Sequence, residues 1–220
     1  MDEDAFRAQR LKMVSEQVEE RGIHTQRLLE ALRSVPRHRF VLPEHLSEAY
    51  SDNALPIAFN QTISQPYIVA LMTERLELNG DESVLEVGTG SGYQAAVVSR
   101  LCRRVISLER IAPLAEQAAR LLSELHYDNI EVRPGDGSPG WPAAAPYQGI
   151  LVAAAAPKVP RPLLEQLADG GRLIIPVGTP SVQELQLWQR AGENYACQDV
   201  LRVVFVPLRG RLGWKEEDWR

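Results

Sequence analysis

From residue 84 onward the chain alternates short apolar runs with stretches whose apolar residues recur at helical spacing. The runs at 84–87, 105–108, 130–132, 150–152, 173–177, 185–188 and 203–206 predict seven strands. Between them, 93–101, 112–125 and 163–167 carry the helical repeat. This order predicts an α/β fold whose mostly parallel sheet is covered on both faces. The pair Gly170-Gly171 is expected to end a helix, and a turn around Gly192 and Asn194 to join the last two strands as an antiparallel hairpin. The preceding residues read as mainly helical. Phe6, Met13 and Val18 share one stripe that Gly22 ends, Thr25 caps a second helix running to Ser34, and a proline-interrupted segment covers 36–56.

Composition narrows this picture. A length of 220 residues without a low-complexity linker predicts one domain: a helical extension over 1–80, an α/β core over 81–208 and a tail over 209–220. Apolar residues make up 45% and charged residues 24%, as in ordinary globular proteins. The first residues contain no apolar run of signal-peptide or membrane-spanning kind, so a cytoplasmic chain is expected, with no membrane partner. The net charge of −5 argues against a nucleic-acid partner, and the basic stretch 33–39 reads as a solvated helix end and turn. Two cysteines and four histidines show no metal-ligand spacing, so reduced thiols and no metal site are expected. A monomer is the simplest expectation.

The most distinctive run is V-L-E-V-G-T-G-S-G-Y, residues 84–93. It joins a strand to a helix through Gly88, Gly90 and Gly92, and glycine at alternate positions lets backbone turn sharply against a ligand. A dinucleotide fingerprint would put its third glycine at position 93, where the chain has Tyr93. Glu86, at the strand's end, is expected to face the ligand, where a carboxylate repels phosphate and attracts ammonium. The run resembles motif I of class I methyltransferases, whose S-adenosylmethionine carries an ammonium group and no phosphate. Glu109 ends the second strand and is placed to accept hydrogen bonds from ribose hydroxyls. Asp136-Gly137 follows the third strand, with the Asp136 carboxylate expected to meet the adenine amine.

Upstream, Q-T-I-S-Q-P-Y places Pro66 at the first position of a helix, with Ser64 near its open end. On local grounds the favoured reading of Ser64 is a helix cap, and no histidine with an acid partner is placed to make it a triad nucleophile. Four segments together carry a more specific likeness: QTISQPYIVALM at 61–72, VLEVGTGSGYQAAV at 84–97, GDGSPGWP at 135–142 and LADGGRLIIPVG at 167–178. With them the chain resembles the protein-L-isoaspartate O-methyltransferases from residue 13 to about residue 208.

The resemblance implies a Rossmann-like, doubly wound seven-stranded sheet that uses S-adenosylmethionine and releases S-adenosylhomocysteine. It implies methyl transfer to L-isoaspartyl, and less efficiently D-aspartyl, residues of damaged proteins and peptides, as the first step of repair. Ser64 becomes the active-site serine by this likeness, and Thr62, Ile63, Thr89 and Arg110 join the cofactor set. Two departures stand out. Bacterial members approach this segment through glycines where this chain has Ala58-Phe59-Asn60, and animal members carry histidine where Val69 stands. A methyltransferase for RNA or a small molecule shares the cofactor residues. A non-catalytic adenosine-binding module is disfavoured by the intact loop, and a dehydrogenase by Glu86 and the missing glycine.

Overall fold

The computed structural model describes residues 2–219. Helix α1 covers Glu3–Met13, its first turn closed by Asp2, whose carboxylate accepts the Ala5 N–H at 2.9 Å. The chain continues through a π turn and a 3-10 turn until Gly22, at φ +93°, stops it. Phe6, Met13 and Val18 are all buried, as their stripe predicts. Helix α2 covers Gln26–Ser34, but the Thr25 hydroxyl hydrogen-bonds Glu74 Oε1 at 3.2 Å and caps nothing.

The basic stretch is not a solvated face. Arg37 is fully buried, with Nε donating to the Ala49 carbonyl at 2.8 Å, and His38 stacks on Phe6 with ring centroids 4.1 Å apart. Beyond it, a small antiparallel pair, β1 (Leu55–Pro56) and β2 (Thr62–Ile63), leads into helix α3, Pro66–Arg75.

The core then winds as β3 (Ser83–Val87), α4 (Tyr93–Ser99), β4 (Arg104–Glu109), α5 (Ala112–Glu124), β5 (Ile130–Pro134), β6 (Tyr147–Val152), α6 (Arg161–Glu165) and β7 (Leu167–Gly178). Strands β8 (Gln183–Ala191) and β9 (Asn194–Val203) complete a sheet ordered β5-β4-β3-β6-β7-β8-β9. The strands from β5 to β7 pair parallel, and β7, β8 and β9 pair antiparallel.

Two apolar clusters sandwich the sheet. Val84 and Val105 face the N-terminal layer with α4 and α5, whereas Leu85, Val87, Ile106 and Ile150 face the side closed by Leu163 of α6. Full burial of each such side chain contributes about 1.5–3 kcal/mol. The order reverses between β3 and β6, and open α/β sheets bind ligands at such a switch point, beyond the carboxyl ends of the strands.

Two expectations need correction. Gly170-Gly171 ends no helix: α6 stops at Glu165, and the pair lies inside β7. There the register against β6 slips between Tyr147–Leu167 and Gly149–Arg172, and Gly170 takes φ +75°, so the glycines form a bulge. The last strand is Asn194–Val203 rather than 203–206. As an exposed edge strand it has little apolar pattern to reveal it.

Candidate active site

A cleft of about 440 Å³ opens where the sheet order reverses, within the size range of small-molecule sites. Its floor is the loop after β3. Gly88, Gly90 and Gly92 take φ of +97°, +55° and +90°, conformations that explain the alternate glycines. Gly88 N–H donates to the Leu108 carbonyl at 2.8 Å, tying the loop to β4.

Glu109 secures the other end of that loop. It is 7% exposed, and its Oε2 accepts the Gly90 N–H at 3.0 Å while Oε1 accepts the Ile111 N–H at 2.9 Å. Each carboxylate oxygen has two acceptor positions, so both keep capacity at the cleft wall. Thr89, Arg110, Gly137, Thr62, Ile63 and Ser64 line the same cleft. At Gly137 a Cβ would fall 2.6 Å from Val87 Cγ1, so only glycine keeps this wall close to the strand end.

Glu86 is placed differently from expectation. It pairs in register with Ser107 of the neighbouring strand, whose hydroxyl donates to Glu86 Oε2 and in turn contacts Thr89 Oγ1 at 2.5 Å. The carboxyl is 1% exposed beneath the loop and does not line the cleft. Burial, opposed by the Ser107 bond and aided by Glu109, pushes its pKa from 4.5 up to about 8. It is therefore a neutral support at pH 7, not an anion facing the ligand.

The folded chain keeps this proton up to pH of about 8, whereas the unfolded chain releases it near 4.5. The group's contribution to stability is complete below the lower value and is lost as pH rises toward the upper one. The wild-type Tm minus that of Glu86→Gln is expected to fall steadily across this window in a thermal-melt series. A flat difference would contradict the buried proton.

Asp136 also departs from expectation. Its Oδ1 accepts the Ser138 N–H and its Oδ2 the Arg211 N–H, both at 2.8 Å, and these bonds hold its pKa low against partial burial. The side chain is exposed outside the cleft and anchors the tail instead of facing an adenine, leaving Gly137 on the wall. The Ser138 hydroxyl accepts the Leu212 N–H at 3.0 Å beside it.

Ser64 is half-buried, and its hydroxyl makes no hydrogen bond within the described residues. Helix α3 begins at Pro66 with Gln65 at its cap and no side-chain capping bond, so Ser64 does not serve that helix. Just ahead, Phe59 and Asn60 adopt φ of +60° and +56°. These are the left-handed conformations that glycine reaches freely, so the cleft edge keeps glycine-like geometry without the glycines.

Several further residues line the cleft that the sequence reading did not assign to it. Tyr93 and Gln94 come from the start of α4, Ala153-Ala154 from just past the end of β6, Phe205 from the run after β9, and Arg209, Glu216 and Trp219 from the tail. The N-terminal layer backs Tyr93, with the Arg37 guanidinium 4.9 Å from its ring centroid and Phe40 edge-on at 5.6 Å. The alanine pair at a strand's carboxyl end was detectable by position. The tail was not.

Residues 8–213 match the family described as Protein-L-isoaspartate(D-aspartate) O-methyltransferase (PCMT). The chain belongs to this family. Among its members, Protein-L-isoaspartate O-methyltransferase 1 of Syntrophobacter fumaroxidans is 53% identical over 210 residues, spanning 96% of this chain and 98% of that one. The corresponding protein of Trichlorobacter lovleyi is 52% identical over 211 residues, covering 96% and 97%. A solved protein-L-isoaspartate O-methyltransferase superposes with a TM-score of 0.84 at 30% identity, over 93% of this chain and 67% of that one. The family match extends the likeness at both ends and takes in Arg211 and Leu212, the tail residues held by Asp136 and Ser138.

The cleft fits S-adenosylmethionine, the cofactor of this family, on its own geometry. Glu109 offers spare acceptors suited to a ribose diol and the loop offers close backbone, with Gly137 on the same cleft wall. Among the described residues no group of three or more His, Cys, Asp or Glu converges to hold a metal. No described helix is long and apolar enough to cross a membrane.

Proposed function

We propose that the chain transfers a methyl group from S-adenosylmethionine to the free carboxylate of L-isoaspartyl, and less efficiently D-aspartyl, residues in damaged proteins and peptides. The observation that carries this reading is Ser64, a partly accessible serine whose hydroxyl has no hydrogen-bond partner among the described residues, in the wall shared by the cofactor cleft and a neighbouring groove. When bound, S-adenosylmethionine supplies an electrophilic methyl on a sulfonium.

Ser64 donates a hydrogen bond to one acceptor oxygen and leaves the other free to align with that methyl. An acceptor carboxyl with a reference pKa of about 4 is ionised at pH 7, so Ser64 removes no proton. Glu109 accepts from the ribose hydroxyls, Gly88 and Gly90 let the main chain approach, and Gly137 bounds the base. Thr62, Ile63, Thr89 and Arg110 complete the cofactor wall. What these residues contribute is placement and exclusion of water, effects that together can reach roughly 7–11 kcal/mol. The chain works as one monomeric unit in the cytoplasm, on polypeptide rather than nucleic-acid partners.

The test is base-labile methyl transfer to an isoaspartyl peptide beside its normal aspartyl twin and total RNA. Transfer to the isoaspartyl peptide alone is expected. Equal transfer to the twin, or transfer to RNA only, would overturn the assignment.

A further inference from the structure

A second groove of about 500 Å³ adjoins the cofactor cleft and shares Thr62, Ser64 and Phe205 with it. One wall belongs to the N-terminal layer, where Arg21 pairs with Asp52 at 3.0 Å and lies 3.5 Å over the Tyr67 ring. The other wall is the ragged end of the sheet. The ladder stops at the pair Gln183–Val203. Beyond it the Gln183 side chain, 1% exposed, takes over: its Oε1 accepts the Phe205 N–H at 2.7 Å and its Nε2 donates to the Phe205 carbonyl at 3.2 Å.

Val204, caught between ladder and side chain, makes no main-chain hydrogen bond among the described residues. Val204 is 79% exposed and Val182 54%, and both line the groove. Only Leu11 and Phe59 are comparably exposed large apolar residues among those described, and Phe59 stands on the adjoining cleft. Exposed apolar surface and unpaired main chain therefore concentrate beside Ser64. An unpaired edge of this kind is a template for another chain.

We propose that Val204 and Val182 are specificity-determining residues, forming a docking edge for the polypeptide that carries the acceptor carboxylate. The inference rests on the function proposed above and adds how the acceptor's neighbours are held. Val204 pairs with the main chain of the substrate, a contact every peptide offers and one suited to an enzyme that meets its acceptor in many sequences. The two valines together cover an apolar side chain flanking the acceptor. Continuity with the cleft through Ser64 and Phe205 is what selects a polypeptide substrate as the occupant.

The experiment compares isoaspartyl peptides flanked on both sides by leucine or by aspartate, and a leucine peptide with N-methylated flanking amides. For the wild type, KM is expected to be about fivefold lower for the leucine peptide than for either other peptide, with kcat nearly constant. Val204→Asp and Val182→Asp are expected to raise KM for the leucine peptide about fivefold. Both should leave Tm and the Kd for S-adenosylhomocysteine unchanged, since these side chains already stand in solvent. A flank-independent wild-type KM, or variants with unmoved KM, would overturn the docking edge while leaving the proposed function intact. No methylation of any peptide would overturn both.

Discussion

Replacing Glu109 with alanine is expected to weaken S-adenosylhomocysteine binding about a hundredfold, read by calorimetry. Glu109 acts on the ligand twice. Its oxygens hold the Gly90 and Ile111 N–H groups, shaping the glycine loop and the entry to α5 before any ligand arrives. The same oxygens keep acceptor positions for a ribose diol. Hydrogen bonds to a charged group are worth about 1.5–3 kcal/mol each, and a loss of about 2.8 kcal/mol is a factor of a hundred. Glu109→Gln keeps one acceptor but turns an amide toward one of the N–H donors, so it should recover only part of the loss. An affinity within threefold of wild type for the alanine variant would remove Glu109 from the cofactor site.

For Ser64→Ala, kcat/KM on an isoaspartyl peptide is expected to fall about ten- to hundredfold, corresponding to one charged hydrogen bond of roughly 1.5–3 kcal/mol. The hydroxyl has no partner among the described residues, so its removal strands no buried group there, and Tm should not move. Cofactor affinity should also hold. The charges on sulfonium and carboxylate neutralise one another during transfer, so the serine has no growing charge to stabilise, and the loss reflects acceptor placement. Unchanged kcat/KM would sink the role of Ser64.

The elements that bury a regular apolar face were legible from the chain. The parallel strands β3, β4 and β6 appear within a few residues of their predicted limits, because each is a run buried on both faces. Strand β9 was misplaced because its residues are mostly polar and exposed, whereas the apolar run beyond it lies off the ladder. Glu86 shows a subtler limit. Its position at a strand end was clear, but cross-strand register with Ser107 decides where its carboxylate goes, and register is a tertiary property. Asp136 was displaced by residues far along the chain, which no local spacing encodes. Glu109 and the glycine loop were readable because strand, turn and helix lie within one stretch. The serine needed the wider resemblance, since a hydroxyl before Pro66 looks locally like a cap.

The tether from Asp136 and Ser138 to Arg211 and Leu212 bears on the birth of the protein. Glu216 and Trp219 form part of the cleft wall, and the loop that carries Gly137 is braced by tail amides some 75 residues further on. A nascent chain in which every strand of the sheet has already emerged still lacks that wall. Closure of the cleft wall therefore waits on the tail, because the loop after β5 gains these braces only once residues 211–212 have docked on it.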